Sequence, residues 1–345
     1  MTLSLPRMAT IASDSQLLPA SADIGNGHLK AVVDLAEIRH SSYILPVQKT
    51  RILDIPATSE GGLVEYLGGT RTDLIGQMWM TGSLAYSYSP TTVLRVVDSP
   101  KGKPEFGLQL FLGAMSTLQY RPQWHLSMVA STQDAQTFGE SLQSALEGEH
   151  IVQFAEHGKP CTISISVQKV LEEGAGAIVN ARQLIDPDAQ TVLIDLGQGT
   201  TIVSQFIARG KLLQRRVIPE GVERLIDSIA SSLETRQRLG QEGDRQIIRA
   251  GIENGSFEYG KTGWNFRSIY VSELKIWVSS VLSPALKIAA PWLPTASAFL
   301  AIGGGSQLPL IAELLEIKKI TPVPDGHWAN ARGMARIAYL QLRGN

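Results

Sequence analysis

The sequence predicts an α/β protein built as two related halves. A short glycine phrase occurs twice at domain spacing, strand-like segments flank each copy, and amphipathic helical segments follow. The length of 345 residues also suits two domains, at ~150 residues each.

In chain order, residues 1–15 read as a polar, loosely held leader. Ser21–Asp34 (SADIGNGHLKAVVD) reads as strand, glycine turn, strand, and a third strand is expected over Ser42–Leu53. Asp54–Gly62 is loop-like, with short strands expected at Leu63–Leu67 and Gln77–Thr81. Phe106–Leu118 is apolar and helix-compatible. Phe138, Leu142, Ala145 and Leu146 share a helix face before Gly148 stops it. Ile163–Val170 reads as a strand, and Glu173–Leu184 as a helix of small residues. Asp186-Pro187-Asp188 then breaks the chain, and a strand at Val192–Ile194 leads into the second glycine turn. Val222, Leu225, Ile226, Ile229, Ala230 and Leu233 recur at helical spacing. A long helix is expected over Ser268–Leu282, and a buried strand over Phe299–Ile302 runs into Gly303-Gly304-Gly305. A helix to about Ile317 follows, and a last helix carries Met334, Ile337 and Ala338 on one side.

Hydrophobic residues make up 43% and charged residues 18%, enough for a sizeable core. Lys plus Arg is 31 against 32 for Asp plus Glu, so no direct nucleic-acid binding is expected. The single cysteine, Cys161, excludes an internal disulfide and a zinc site of several thiolates. A lone thiol fits a reducing cytoplasm. Pro6 and Arg7 interrupt the apolar N-terminal stretch, which does not read as a signal peptide. Val281–Pro294 carries Lys287 and prolines 284, 291 and 294, and reads as packed helix and loop. A cytoplasmic location away from membranes is the expectation.

The repeated phrase is Asp23-Ile24-Gly25-Asn26-Gly27-His28-Leu29-Lys30 and, 172 residues later, Asp195-Leu196-Gly197-Gln198-Gly199-Thr200-Thr201-Ile202. Each copy ends a strand on an aspartate, then gives an aliphatic residue, Gly, an amide and Gly. Such turns bring backbone N–H groups close to an anion without a Cβ in the way. Carboxylate together with phosphate is the usual Mg²⁺ arrangement. Two facing hairpins would grip a polyphosphate from both sides, with Lys30 and the hydroxyls of Thr200 and Thr201 adding charge and donors. One copy alone would be a plain turn; two copies, each led by Asp, favour phosphate binding. The third element, FLAIGGGS at Phe299–Ser306, opens a strand into glycines that admit a flat base or ribose.

This ordered trio resembles the actin-like ATPase superfamily, which includes actin, sugar kinases and the seventy-kilodalton heat-shock chaperones. The chain is most similar to bacterial plasmid-segregation actins of the ParM type. Trp79–Ala85, Val170–Ala177, Arg249–Gly260 and Pro324–Gly333 match segments typical of that group. Two departures stand out: Ala130-Ser131-Thr132-Gln133 replaces a frequent Gly-Leu-Pro, and Glu172 replaces the proline before the family's glutamate.

The resemblance implies an actin-like fold, two duplicated α/β domains flanking a nucleotide cleft. Residues 1–178 would form the first domain, 179–328 the second, and a C-terminal helix over 329–345 would return to the first. Gly25, Asn26, Gly27, Lys30, Gly197, Gln198, Gly199 and Thr200 would bind phosphates, and Gly303, Gly304 and Gly305 adenosine. Asp23 and Asp195 would hold Mg²⁺, mainly through water. Glu173 would orient the attacking water, with Glu172 as its competitor, and Asp195 would share the catalytic work. Asn330 and Arg332 are weaker candidates near the nucleotide. The implied activity is ATP hydrolysis to ADP, coupled to self-assembly into filaments that move plasmid DNA through a DNA-binding adaptor. A small-molecule kinase or phosphatase, or an actin-fold cytoskeletal scaffold, is the alternative.

Overall fold

Two strand-turn-strand units, one per half, set the architecture. The computed structural model describes residues 16–48, 60–99 and 101–344. The leader at 1–15, the end of the expected third strand and most of the following loop lie outside the described residues.

The first half contains β1 (Leu17–Ile24), β2 (His28–Val33), β3 (Ala36–Ser41), β4 (Tyr43–Val47), β5 (Leu63–Gly69) and β6 (Met78–Thr81). It continues with α1 (Gly82–Tyr88), β7 (Leu94–Arg95), α2 (Gly102–Met115), β8 (Gln123–Thr132), α3 (Ala135–Leu146), β9 (Gly148–Phe154), β10 (Pro160–Glu172) and α4 (Ala175–Asn180). The second half contains β11 (Gln190–Leu196), β12 (Thr201–Ile207), β13 (Lys211–Ile218), α5 (Val222–Ser231), α6 (Leu233–Leu239) and α7 (Arg245–Glu253). After these come α8 (Arg267–Trp277), α9 (Ser283–Ala289), β14 (Ala296–Ile302), α10 (Ile311–Ile317), β15 (Thr321–Pro322) and α11 (Ala329–Gly344).

Among the described residues the strands form two sheets. Their orders are β3-β2-β1-β8-β10-β9-β5-β6-β4-β7 and β13-β12-β11-β14-β15. The first five strands of the larger sheet repeat the smaller one. In each, the leading strand pairs antiparallel with its hairpin mate and parallel with a strand from further along the chain. A fourth strand adds antiparallel to the mate, and a fifth parallel on the far side. The duplicated phrase is thus the visible part of a duplicated sheet.

The leading strands are central and buried on both faces, so they read as apolar runs instead of alternations. Ala20, Ala22 and Ile24 of β1 and Val192, Leu193 and Ile194 of β11 are all at most 1% exposed. Around them Tyr66, Trp79 and Phe111 fill one core, and Phe266, Tyr270 and Trp277 the other. On α5, Val222, Leu225, Ile226, Ile229 and Ala230 are buried, but Leu233, expected on the same face, lies beyond the end of α5 at the start of α6 and is exposed.

Several expected elements differ in detail. The strand expected from Ser42 begins at Tyr43 and is preceded by β3, which the polar run Glu37, Arg39, His40 had hidden. β8 escaped prediction because His125, Ser127, Ser131 and Thr132 interrupt its apolar run. The helix expected over Ser268–Leu282 runs on through a π turn at Val278–Leu282 into α9. Pro284, at the start of α9, has no N–H to offer the carbonyl four residues back, so the ladder is interrupted there. No helix among the described residues is long and apolar enough to cross a membrane.

The last helix returns to the first half. Met334 and Ala338 of α11 are fully buried, and Ser21 Oγ of β1 donates to Ala331 O at 2.8 Å. α11 crosses α4 where Gly333 meets Gly176, and a Cβ on Gly333 would collide with the Gly176 backbone. Gly333→Val should therefore lower the denaturant midpoint, with a loss on the order of 1–3 kcal/mol or more. An unchanged midpoint would show that the crossing has room to spare.

Candidate functional site

Each leading strand delivers its aspartate to the space between the halves. The first turn is held from β4's side, with Ser42 Oγ donating to Gly25 O at 2.6 Å and Ser42 N to Gly27 O at 3.0 Å. The second turn caps α5: Gly197 O accepts from Val222 N at 3.0 Å and Gln198 O from Glu223 N at 2.8 Å. These carbonyls satisfy helix N–H groups that no side chain caps. The tips meet, with the Gln198 side chain against Gly27 and Asn26 Nδ2 against Gly199.

The two copies are equivalent in register and opposite in charge environment. Asp23 pairs across β1–β2 with Lys30, and Asp195 pairs across β11–β12 with Ile202. Lys30 Nζ lies 3.2 Å from Asp23 Oδ2, while Asn330 Nδ2 and Ser131 Oγ lie 2.9 and 3.3 Å from its Oδ1. Burial alone would raise the Asp23 pKa, but Lys30, Lys103 and Asn330 together hold it below the usual carboxylate range. Asp195 faces an isoleucine where Asp23 faces a lysine. Burial, with Glu173 and Asp23 nearby, pushes its pKa up to about 7 against the pull of Lys30 and Arg215.

Gly303, at the end of β14, has φ +84°, and a Cβ there would strike Asp195 Oδ1. Only glycine lets the third turn lie against the second aspartate.

These parts enclose a cavity of about 550 Å³, within the usual size of a small-molecule site. Asp23, Gly25, Asn26, Gly27, Lys30, Glu173, Asp195, Gly197, Gln198, Thr200, Gly303, Gly304 and Gly305 all line it. Gly199 sits behind the turn and borders a second hollow. Thr201 is buried in β12. Of the acidic pair, Glu173 lines the cavity, bonded to Lys103 Nζ and, at 3.2 Å, to Arg215 Nη2. Glu172 accepts from Ala135 N at 2.9 Å and from Arg215 Nη1 at 3.0 Å. Asn330 fixes Asp23 instead of lining the cavity, and Arg332 forms ion pairs with Glu37 and Asp325.

Sequence reasoning missed Lys103, Arg215 and Arg249, all of which line the cavity. Lys103 left a signal, because a lysine in the first turn of an apolar helix opposes the helix dipole. Arg249 lay inside a motif already singled out, but nothing marked it within that motif. Arg215 left none, being one arginine in a polar strand. His28 lines the cavity as well; burial and the neighbouring Arg39 and Arg249 hold its pKa well below the ordinary value.

Among the described residues, no group of three or more His, Cys, Asp or Glu side chains could hold a metal. The cleft offers carboxylates from Asp23 and Asp195 only as part of an oxygen shell. That suits a hard divalent cation completed by phosphate and water oxygens. Ion pairs also join the halves: Arg95 to Glu223 at 3.0 Å and Arg39 to Glu253 at 2.8 Å.

Residues 21–176 match the family model for the N-terminal domain of actin-like proteins. No curated protein matches by sequence. Among solved structures, the chain superposes on the archaeal actin homologue Ta0583 with a TM-score of 0.72 at 17% identity, covering 94% of this chain and 100% of that one. The apo pSK41 ParM protein gives 0.68 at 14%, covering 96% and 99%. A 15-stranded ParM filament from Clostridium botulinum gives 0.71 at 16%, covering 94% and 99%. Ta0583 has also been solved in complex with ADP. The chain thus has the actin-like fold with an actin-like N-terminal domain, and the resemblance to ParM-type proteins drawn from its motifs stands.

The raised Asp195 pKa makes a testable statement about the metal-free, nucleotide-free protein. The folded state keeps this proton up to about pH 7, whereas the unfolded chain releases it near 3.8. Asp195 therefore makes stability fall as pH rises across that window, with no further change above it. Asp195→Asn should raise the melting temperature above pH 7, and the gain should shrink toward pH 4. Parallel melting curves for both proteins across that range would contradict the assignment.

Proposed function

We propose that this chain binds Mg·ATP in the cleft, hydrolyses it to ADP, and assembles head to tail into filaments. The observation that carries the reading is the pair of strand-end aspartates, matched in register and turned with three glycine turns onto one cavity. In this reading the two hairpin turns and Lys30 hold the phosphates, and Gly303–Gly305 admits the nucleoside. Asp23 and Asp195 would hold the divalent cation, mainly through water; when bound, it would neutralise phosphate charge. Glu173 orients the attacking water, as hydrolysis of a terminal phosphate requires. Glu173 lines the cavity and Glu172 does not, which favours Glu173 for that role.

Head-to-tail contacts do not close on themselves and so give open filaments. A triphosphate touched from both halves would favour a closed cleft more than a diphosphate does, and a ligand shifts such an equilibrium only through that difference. The ParM filament of similar fold supports self-assembly, and the ADP complex of Ta0583 supports a nucleotide in the cleft. A near-neutral chain fits cytoplasmic work on plasmid DNA through an adaptor.

Purified protein should pellet with Mg·ATP or a non-hydrolysable analogue, and much less with ADP. A species that stays monomeric in every nucleotide state and phosphorylates a metabolite would replace this reading with a kinase. Glu173→Ala should keep ATP binding and slow phosphate release by ~10²-fold or more, leaving filaments that persist. That phenotype in Glu172→Ala instead would move the role to the neighbour.

A further inference from the structure

Arg215 crosses the cleft. It projects from β13 of the second half and bonds Glu172, Glu173 and the Gln133 carbonyl of the first. Its Nε is buried without a partner, and the residue lines the cavity beside Asp195. Lys103 comes to the same carboxylate from the start of α2 and is 5% exposed. Glu173 thus shares Arg215 with Glu172 and also holds Lys103, while one guanidinium N–H has no acceptor. An oxyanion of higher charge is the better partner for that pair, since guanidinium and phosphate match in both charge and geometry.

We propose, on the nucleotide reading above, that Arg215 makes the cleft distinguish a nucleoside triphosphate from a diphosphate. The terminal phosphate takes Arg215 and Lys103 from Glu173, and the released carboxylate turns to the attacking water. With a diphosphate both cations stay on Glu173. In the hydrolysis that follows, the water oxygen bonds to the γ-phosphorus. The bond from that phosphorus to the bridging oxygen breaks, its electron pair staying on ADP. One water proton leaves by way of Glu173. Because Arg215 belongs to one half and Glu173 to the other, the exchange also reports the terminal phosphate across the cleft.

The test is equilibrium binding of Mg·ATP and Mg·ADP, with turnover, for wild type, Arg215→Met and Arg215→Lys. Arg215→Met should keep ADP affinity within about two-fold and lose at least about ten-fold in ATP affinity, collapsing the preference. Its kcat should fall by at least ~10³-fold, the lower end for loss of a phosphate-contacting arginine. Arg215→Lys should recover part of the ATP preference. If Arg215→Met does not fold, Lys103→Met carries the same expectation for the preference. An unchanged preference, or equal loss for both nucleotides, overturns this proposal and leaves the nucleotide reading intact. A wild-type protein that binds neither nucleotide overturns both.

Discussion

Seven residues beyond each strand-end aspartate, one half has Lys30 and the other Ile202. Sheet register places each residue directly across from its aspartate. Asp23 therefore has a counter-ion, two further hydrogen bonds and a stable negative charge. Asp195, built into the same position of a duplicated sheet, has an apolar neighbour and a pKa of about 7. With isoleucine opposite it, Asp195 has no counter-ion across the pair, and burial beside Glu173 and Asp23 disfavours its charged form.

The same logic extends through the cleft. Three of its cations are already paired, Lys30 with Asp23, Lys103 with Glu173, and Arg215 with Glu172 and Glu173, whereas Arg249 bonds the neutral Gln198 side chain. These pairs offset the cost of burying the charges they join. Contacts between the halves run from Arg215 and the touching hairpin tips to the ion pairs at Arg95 and Arg39.

How much of this was legible follows from which physical signals are local. The two hairpins, α5 and the final helix were readable because glycine turns and helical spacing lie within a few residues. Duplication of the sheet followed from two copies of one phrase. The residues of the two phrases nearly all reach the cavity wall, since Asp, Gly, amide and Gly stand on one turn, but much of the rest of the lining comes from elsewhere. β8 was not legible, because the residues it turns toward Asp23 and Asn330 are polar and break an apolar run. Arg215 and Lys103 were not legible as site residues because their role depends on partners 42 and 70 positions away in sequence. The contrast between Lys30 and Ile202 was in plain view, but its meaning required the register that sets each opposite an aspartate.

If Asp195, with its pKa raised to about 7 by burial, holds a cation that arrives with the nucleotide as proposed, binding must be linked to loss of its proton. Calorimetric titration of Mg·ATP into the protein in buffers of different ionisation enthalpy, at pH 6 and pH 8.5, measures this directly. The account predicts proton release on binding at pH 6, little at pH 8.5, and affinity that rises between them. Binding of equal strength at both pH values with no exchange of protons would contradict it.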